Sequence, residues 1–162
     1  MKVRVRGKNP KITTKELKYA TKFMSNILMT KKLVEQLDVT IKFVDMVDDG
    51  GTMLLDCNHK PREFEVQLNP KLNREHTLYV LGHELTHVRQ FARGQLKQLA
   101  REASTTWLRK KYNAKLEDDP LRYWLLPWEI EARGYEEALM QYYKSHLKDR
   151  KRLDKNRKKR YK

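Results

Sequence analysis

Residues 74–93, REHTLYVLGHELTHVRQFAR, restrict the fold more than any other stretch of the chain. Leu78, Leu81, Leu85, Val88 and Ala92 recur every three or four positions, the spacing of one helix face. The pattern predicts a helix from about Arg74 to Arg93, with Asn73 as N-cap and Gly94 at its end. Five apolar residues on one face must be buried, so other elements have to cover them. His83 lies ~200° around the helix from Leu81, and His87 the same from Leu85, at ~100° per residue. The two histidines therefore share a face that is not the apolar stripe. Residues four apart on a helix are neighbours, so both imidazoles can reach one metal ion. Gly82, just before His83, leaves room for something to approach the backbone.

Around this helix the chain divides into recognisable elements. Residues 14–37 read as an amphipathic helix, with Leu17, Ala20, Met24, Ile27, Leu28 and Leu33 or Val34 on its apolar face and Thr13 or Thr14 as cap. VTIKFVDMV (39–47) and TMLLDCN (52–58) read as strands flanking the turn DDGG. EFEVQL (63–68) alternates as a half-buried strand does. Residues 95–112 start as a helical pattern that weakens at Ser104-Thr105-Thr106-Trp107, and 113–126 read as a loop with large side chains. Pro127 suits a first helical position, and a long helix should follow to about Lys148. The expected fold class is α+β: an N-terminal helix, a small three-stranded, mainly antiparallel sheet, and then two helices. Residues 1–148 would form one domain and 149–162 a basic tail.

The net charge of +15 is concentrated at the ends. Residues 144–162 hold 11 Lys/Arg against 2 Asp, and residues 1–11 hold five Lys/Arg and no acid. What lies between is almost neutral, at +1. Such ends read first as solvated tails and second as a handle for nucleic acid. No run of about 18 apolar residues occurs, so no membrane span is expected. The single cysteine, Cys57, excludes an intramolecular disulfide, which fits a reducing cytoplasm.

His83-Glu84-Leu85-Thr86-His87 spells H-E-x-x-H, the zinc helix in which the glutamate is the general base. With five His and twelve Glu, a random order spells it about once in 100 chains, so a third ligand is needed to give it weight. The metzincin continuation is excluded, because Gln90 and Arg93 stand where it needs glycine and histidine. Cys57 lies in LLDCNH, which lacks the glycine-cysteine context of deformylase-type sites. A later helix, PWEIEARGYEEAL (127–139), offers Glu129 and Glu131. They are two apart, so only one can face the metal. Small Ala132 and Gly134 beside Glu131 favour it over Glu129, which with Glu136 and Glu137 reads as a salt-bridged surface.

HELTH followed by PWEIEARGYE resembles the gluzincin clan of zinc metallopeptidases, and within it the minimal types and the small SprT-like metallopeptidases of bacteriophages. Glu131, Ala132 and Tyr135 match the clan's third-ligand helix. SprT proper instead takes a third histidine soon after the motif, and here none occurs between His87 and His146. The resemblance implies a zincin-like fold, a sheet with an edge strand along the cleft, and a Zn2+ ion on His83, His87 and Glu131. Glu84 would then be the catalytic base in hydrolysis of a protein or peptide substrate. Tyr135, Tyr123 and His146 are candidate oxyanion donors, EFEVQL a candidate strand for pairing with substrate, and YWLLPW (123–128) a candidate cleft wall. The location implied is the cytoplasm, that of the host for a phage protein. The competing class is a nucleic-acid-binding protein using its basic termini, or a protease tethered to substrates on nucleic acid.

Overall fold

A computed structural model describes residues 1–56, 60–99, 104–113 and 120–160. Cys57, the end of the strand expected over 52–58, and residues 114–119 of the expected loop lie outside the described residues. The fold is α+β, with five helices, one mixed sheet and one antiparallel sheet among the described residues. No described helix is long and apolar enough to cross a membrane.

The main sheet has four strands where three were expected. Strand β1 (Lys2–Arg6) precedes helix α1 (Thr14–Leu28) and helix α2 (Lys31–Gln36), and strand β2 (Asp38–Phe43) follows them. β1 and β2 run parallel, as a crossover through helices requires. β1 reads KVRVR. Its valines pack against the core while Arg4 forks onto both carboxylate oxygens of Asp38, at 2.6 and 2.7 Å. Alternating arginines made this strand look like part of a charged terminus. Strand β3 (Gly50–Leu54) and strand β4 (Glu63–Leu68) complete the order β1-β2-β4-β3. β2 pairs β4 in parallel and β3 pairs β4 antiparallel, so two of the three pairings are parallel, not antiparallel as expected.

The helix expected over 14–37 is two. Met29 is extended, and Thr30 starts a new helix by accepting a hydrogen bond from the Leu33 N–H. Leu17, Ala20, Met24 and Leu28 are buried as their spacing implied, whereas Ile27 is exposed.

Helix α3 (Arg74–Ala92) matches its expected span, with the Asn73 side chain accepting from the His76 N–H. Gly94 closes it at φ 68°, in the left-handed region. Leu78, Leu81, Leu85 and Val88 are each 0% exposed. The helix is covered on most of its circumference by α1, β3, β4 and the last helix. It is a central rod, so its polar residues are buried too and need partners.

The helical pattern after Gly94 does not hold. Strand β5 (Leu96–Leu99), strand β6 (Ser104–Trp107) and strand β7 (Lys110–Asn113) form a second, antiparallel sheet. Thr105 and Thr106 favour extended backbone. The β6–β7 turn places Leu108 and Arg109 at φ 49° and 73°, a conformation usually given to Asn or Gly, which is why the hairpin was not legible. A short helix α4 (Pro120–Tyr123) leads into helix α5 (Pro127–Arg160). Pro127 opens α5 as expected, but α5 passes Lys148 without a break and carries the basic segment as helix to Arg160.

Candidate metal centre

Gly82 brings α3 and α5 together. A Cβ built at Gly82 would stand 3.6 Å from the Glu136 Cα and 3.7 Å from the Leu139 Cβ. What approaches the backbone there is α5. Ala132 is fully buried, whereas nothing lies within 4 Å of a Cβ built at Gly134. Ala132 is therefore the close-packing residue. On a helix it shares a face with Glu129 three residues earlier and Glu136 four later, not with its neighbour Glu131.

This phase reverses the order of the two acids. Glu129 Oε2 lies 3.2 Å from His83 Nε2, and Glu129 Oε1 lies 3.3 Å from His87 Nε2. Glu131, the expected third ligand, points elsewhere: its Oε2 accepts from Gln90 Nε2 at 2.9 Å and pairs with Arg89 at 3.2 Å. His83, His87 and Glu129 form the one His/Cys/Asp/Glu group among the described residues whose ligand atoms all lie within 4.8 Å.

The tautomers are set by their partners. His83 Nδ1 lies 2.9 Å from a Glu136 carboxylate oxygen, which can only accept, so Nδ1 carries the proton. His87 Nδ1 donates to Gln90 Oε1 at 2.8 Å, since Gln90 Nε2 is engaged with Trp128 O and Glu131. Both Nε2 atoms thus face each other, 3.0 Å apart. Two lone pairs at that distance repel unless a cation or a proton lies between them. Glu129 Oε2 is buried and close to His83, yet out of line for a hydrogen bond. Ligands ~2.0–2.1 Å from a tetrahedral cation stand ~3.3 Å apart. The two Nε2 atoms are 3.0 Å apart, and each has a different Glu129 oxygen at 3.2 or 3.3 Å, so the carboxylate faces the gap between the imidazoles with both oxygens. The donor set fits such a cation, with carboxylate and amide partners behind the imidazoles of the kind that orient metal ligands.

Charge is pooled in the cluster. Burial pulls His83 down, but the adjacent Glu129 and Glu136 carboxylates outweigh it and push it up to about 9. His87 is also raised, its burial overcome by Glu129 and Glu84. Burial pushes Glu129 up, yet the two histidines hold it down at about 2. Burial raises Glu84, which is 5% exposed. Its Oε2 accepts from the Thr52 hydroxyl at 2.8 Å, while its Oε1 faces Gly50. Glu84 thus lies between the histidines and β3 and is not one of the three converging donors.

The cluster opens on a cleft of about 750 Å³ that His83, Glu84, Tyr123, Trp124 and Arg133 help to line. A smaller cavity of about 170 Å³ continues past Thr52, His87 and Glu129. Along both runs β3, at the end of the sheet. β4, expected to offer its edge to substrate, is instead enclosed between β2 and β3. Of the candidate oxyanion donors, only Tyr123 is at the site. Burial first, and then the neighbouring Glu129 carboxylate, push its phenol up and keep it protonated. Tyr135 stacks under Arg89 at 4.9 Å, and His146 packs on Tyr19 and Phe23. The segment 123–128 is divided, with Leu126 and Trp128 in the core and Tyr123 and Trp124 on the cleft.

Glu136 and Gln90 were not anticipated. Glu136 shares the Ala132 face, a signal available in the sequence. Gln90 follows His87 by three residues, the spacing at which a helical side chain can reach its neighbour's ring. No family model matches the chain, and no curated protein or solved structure matches it either.

Proposed function

We propose that this protein is a zinc-dependent metallopeptidase of zincin-like architecture, with His83, His87 and Glu129 as metal ligands and Glu84 as general base. The observation that carries this is the convergence of the three donors beside a buried, non-ligating glutamate, under the outer strand of a sheet. Three protein ligands leave a tetrahedral ion one open position, the arrangement of catalytic zinc. Zinc held there supplies a Lewis acid that polarises a carbonyl and acidifies water.

The chain's own residues do the rest. β3 has one sheet partner among the described residues, so its other edge can pair with an extended peptide. That pairing would bring a scissile carbonyl over His83 and Glu84. Glu84 takes the proton of the attacking water and delivers it to the leaving amine. Its burial raises its affinity for that proton, and the Thr52 hydroxyl holds one oxygen while the other faces Gly50, which lines the cleft with it. Tyr123, kept protonated, donates to the developing oxyanion. Glu136 and Gln90 keep each imidazole's Nε2 lone pair directed inward. The test is metal analysis with a peptide cleavage profile, wild type beside Glu84→Gln. One zinc per chain in both, with cleavage in the wild type alone, is expected. A protein that takes up no zinc rules the proposal out.

One observation favours a second role for the same chain. The C-terminal half of helix α5 carries Lys148, Arg150, Lys151 and Arg152 exposed, Arg150 over the Tyr19 ring at 5.1 Å. A helix with that charge suits a polyanion, and would tether a cytoplasmic peptidase to substrates on nucleic acid. Removing residues 149–162 should abolish salt-sensitive binding to duplex DNA and leave cleavage of a short peptide intact.

A further inference from the structure

Arg133 is the only Lys or Arg lining the cleft or its inner extension among the described residues. It follows the ligand Glu129 by four residues on α5, so both face the same way. Its guanidinium lies 3.4 Å over the Trp124 ring. Stacking of that kind holds the planar fork in one orientation and shields one of its faces from water. Its Nε is buried with no hydrogen-bond partner. Across the cleft, the segment before β3 supplies Asp48 and Asp49, the latter 3.0 Å from His76. Glu136, the acid beside Arg133 on the α5 side, is engaged by His83 Nδ1 at 2.9 Å, so the cleft sets Asp48 and Asp49 on the β3 side against one oriented cation on the α5 side.

We infer that Arg133 and Trp124 form a subsite for a carboxylate of the substrate, close to the bond that is cut. This deepens the peptidase proposal and rests on it. A guanidinium presents its donors in a fork that a carboxylate accepts through both oxygens. The donor is already oriented by the indole, so little side-chain entropy remains to be lost on binding. The acidic far wall repels a carboxylate bound in the reverse sense. The group recognised is an acidic side chain or a chain-terminal carboxylate, which share this chemistry.

The test uses full-length Glu84→Gln protein loaded with zinc, and three matched peptides. One has a glutamate side chain and an amidated C-terminus, one has glutamine and a free C-terminus, and one has glutamine and an amidated C-terminus. Binding is followed by titration calorimetry, with Trp124 emission as a second signal. One carboxylate peptide should bind at least about tenfold tighter than the neutral one, as expected for a charge-assisted pair. Arg133→Gln should erase the preference, and Arg133→Lys should keep part of it. Equal binding of the three, no binding, or a preference that survives Arg133→Gln overturns the subsite. Cleavage of the neutral peptide by the wild type is measured in parallel. Cleavage without preference sinks the subsite alone, and preference without cleavage sinks the peptidase alone. If Arg133 merely props Trp124, its variants lose stability and leave selectivity where it was.

Discussion

Glu129 Oε2 lies 3.2 Å from His83 Nε2, joining the first turn of α5 to the middle of α3. Two residues on, Glu131 faces Gln90 and Arg89. The contrast decides which acid completes the site, and it is measurable. Glu129→Ala should weaken zinc binding by more than the ~10–100-fold typical of an outer partner. Glu131→Ala acts only through Gln90 and should cost no more than ~10-fold. Competition with a chromogenic chelator reads both, and equal losses would contradict the assignment.

Glu84→Gln keeps shape and removes the base. Zinc content should stay at one per chain, because Glu84 is not among the converging donors. Peptidase turnover should fall by ~10²–10⁴, the usual worth of a positioned base. Retained turnover would remove Glu84 from the mechanism.

The strand beside the site tolerates little. A Cβ at Gly50 would stand 2.5 Å from Val80 Cγ1 and 3.0 Å from the Gln67 carbonyl oxygen. Glu84 Oε1 is 3.4 Å away. The Gln67 carbonyl belongs to the sheet and cannot swing aside. Gly50→Ala should cost about 1–3 kcal/mol in urea unfolding, as overpacking does, and lower activity by shifting β3 over Glu84. Gly51→Ala, with nothing within 4 Å, is the control.

Without metal, stability should follow the cluster's protons. His83 titrates at about 9 folded against 6.5 ordinarily, so its contribution is full below 6.5 and lost as pH rises through 9. Glu129 titrates at about 2 folded against 4.5, so its contribution is full above 4.5 and lost as pH falls toward 2. Glu84, raised by burial, opposes folding increasingly as pH climbs above 4.5, the same direction as His83. The chelator-treated protein should therefore melt highest between pH 4.5 and 6.5, and Glu129→Gln should flatten the profile. A Tm that climbs steadily from pH 6 to 9 would refute this.

Much of the site was legible because it depends on local periodicity. The apolar stripe of α3, its Asn73 cap, its Gly94 stop and the shared face of His83 and His87 follow from spacing along one helix. The tertiary structure decided what spacing cannot. Which α5 acid meets the histidines depends on which face of α5 packs at Gly82, and Ala132 marks the face of Glu129 rather than that of its sequence neighbour. Strand order depends on pairing between distant segments. EFEVQL reads alike in the middle of a sheet or at its edge, and pairing with β2 on one side and β3 on the other placed it inside. The hairpin after Gly94 depends on two residues held at positive φ, where side-chain type gives no warning. Helix periods are written in a few consecutive residues, whereas the phase between helices and the order of strands are set only when the whole core packs.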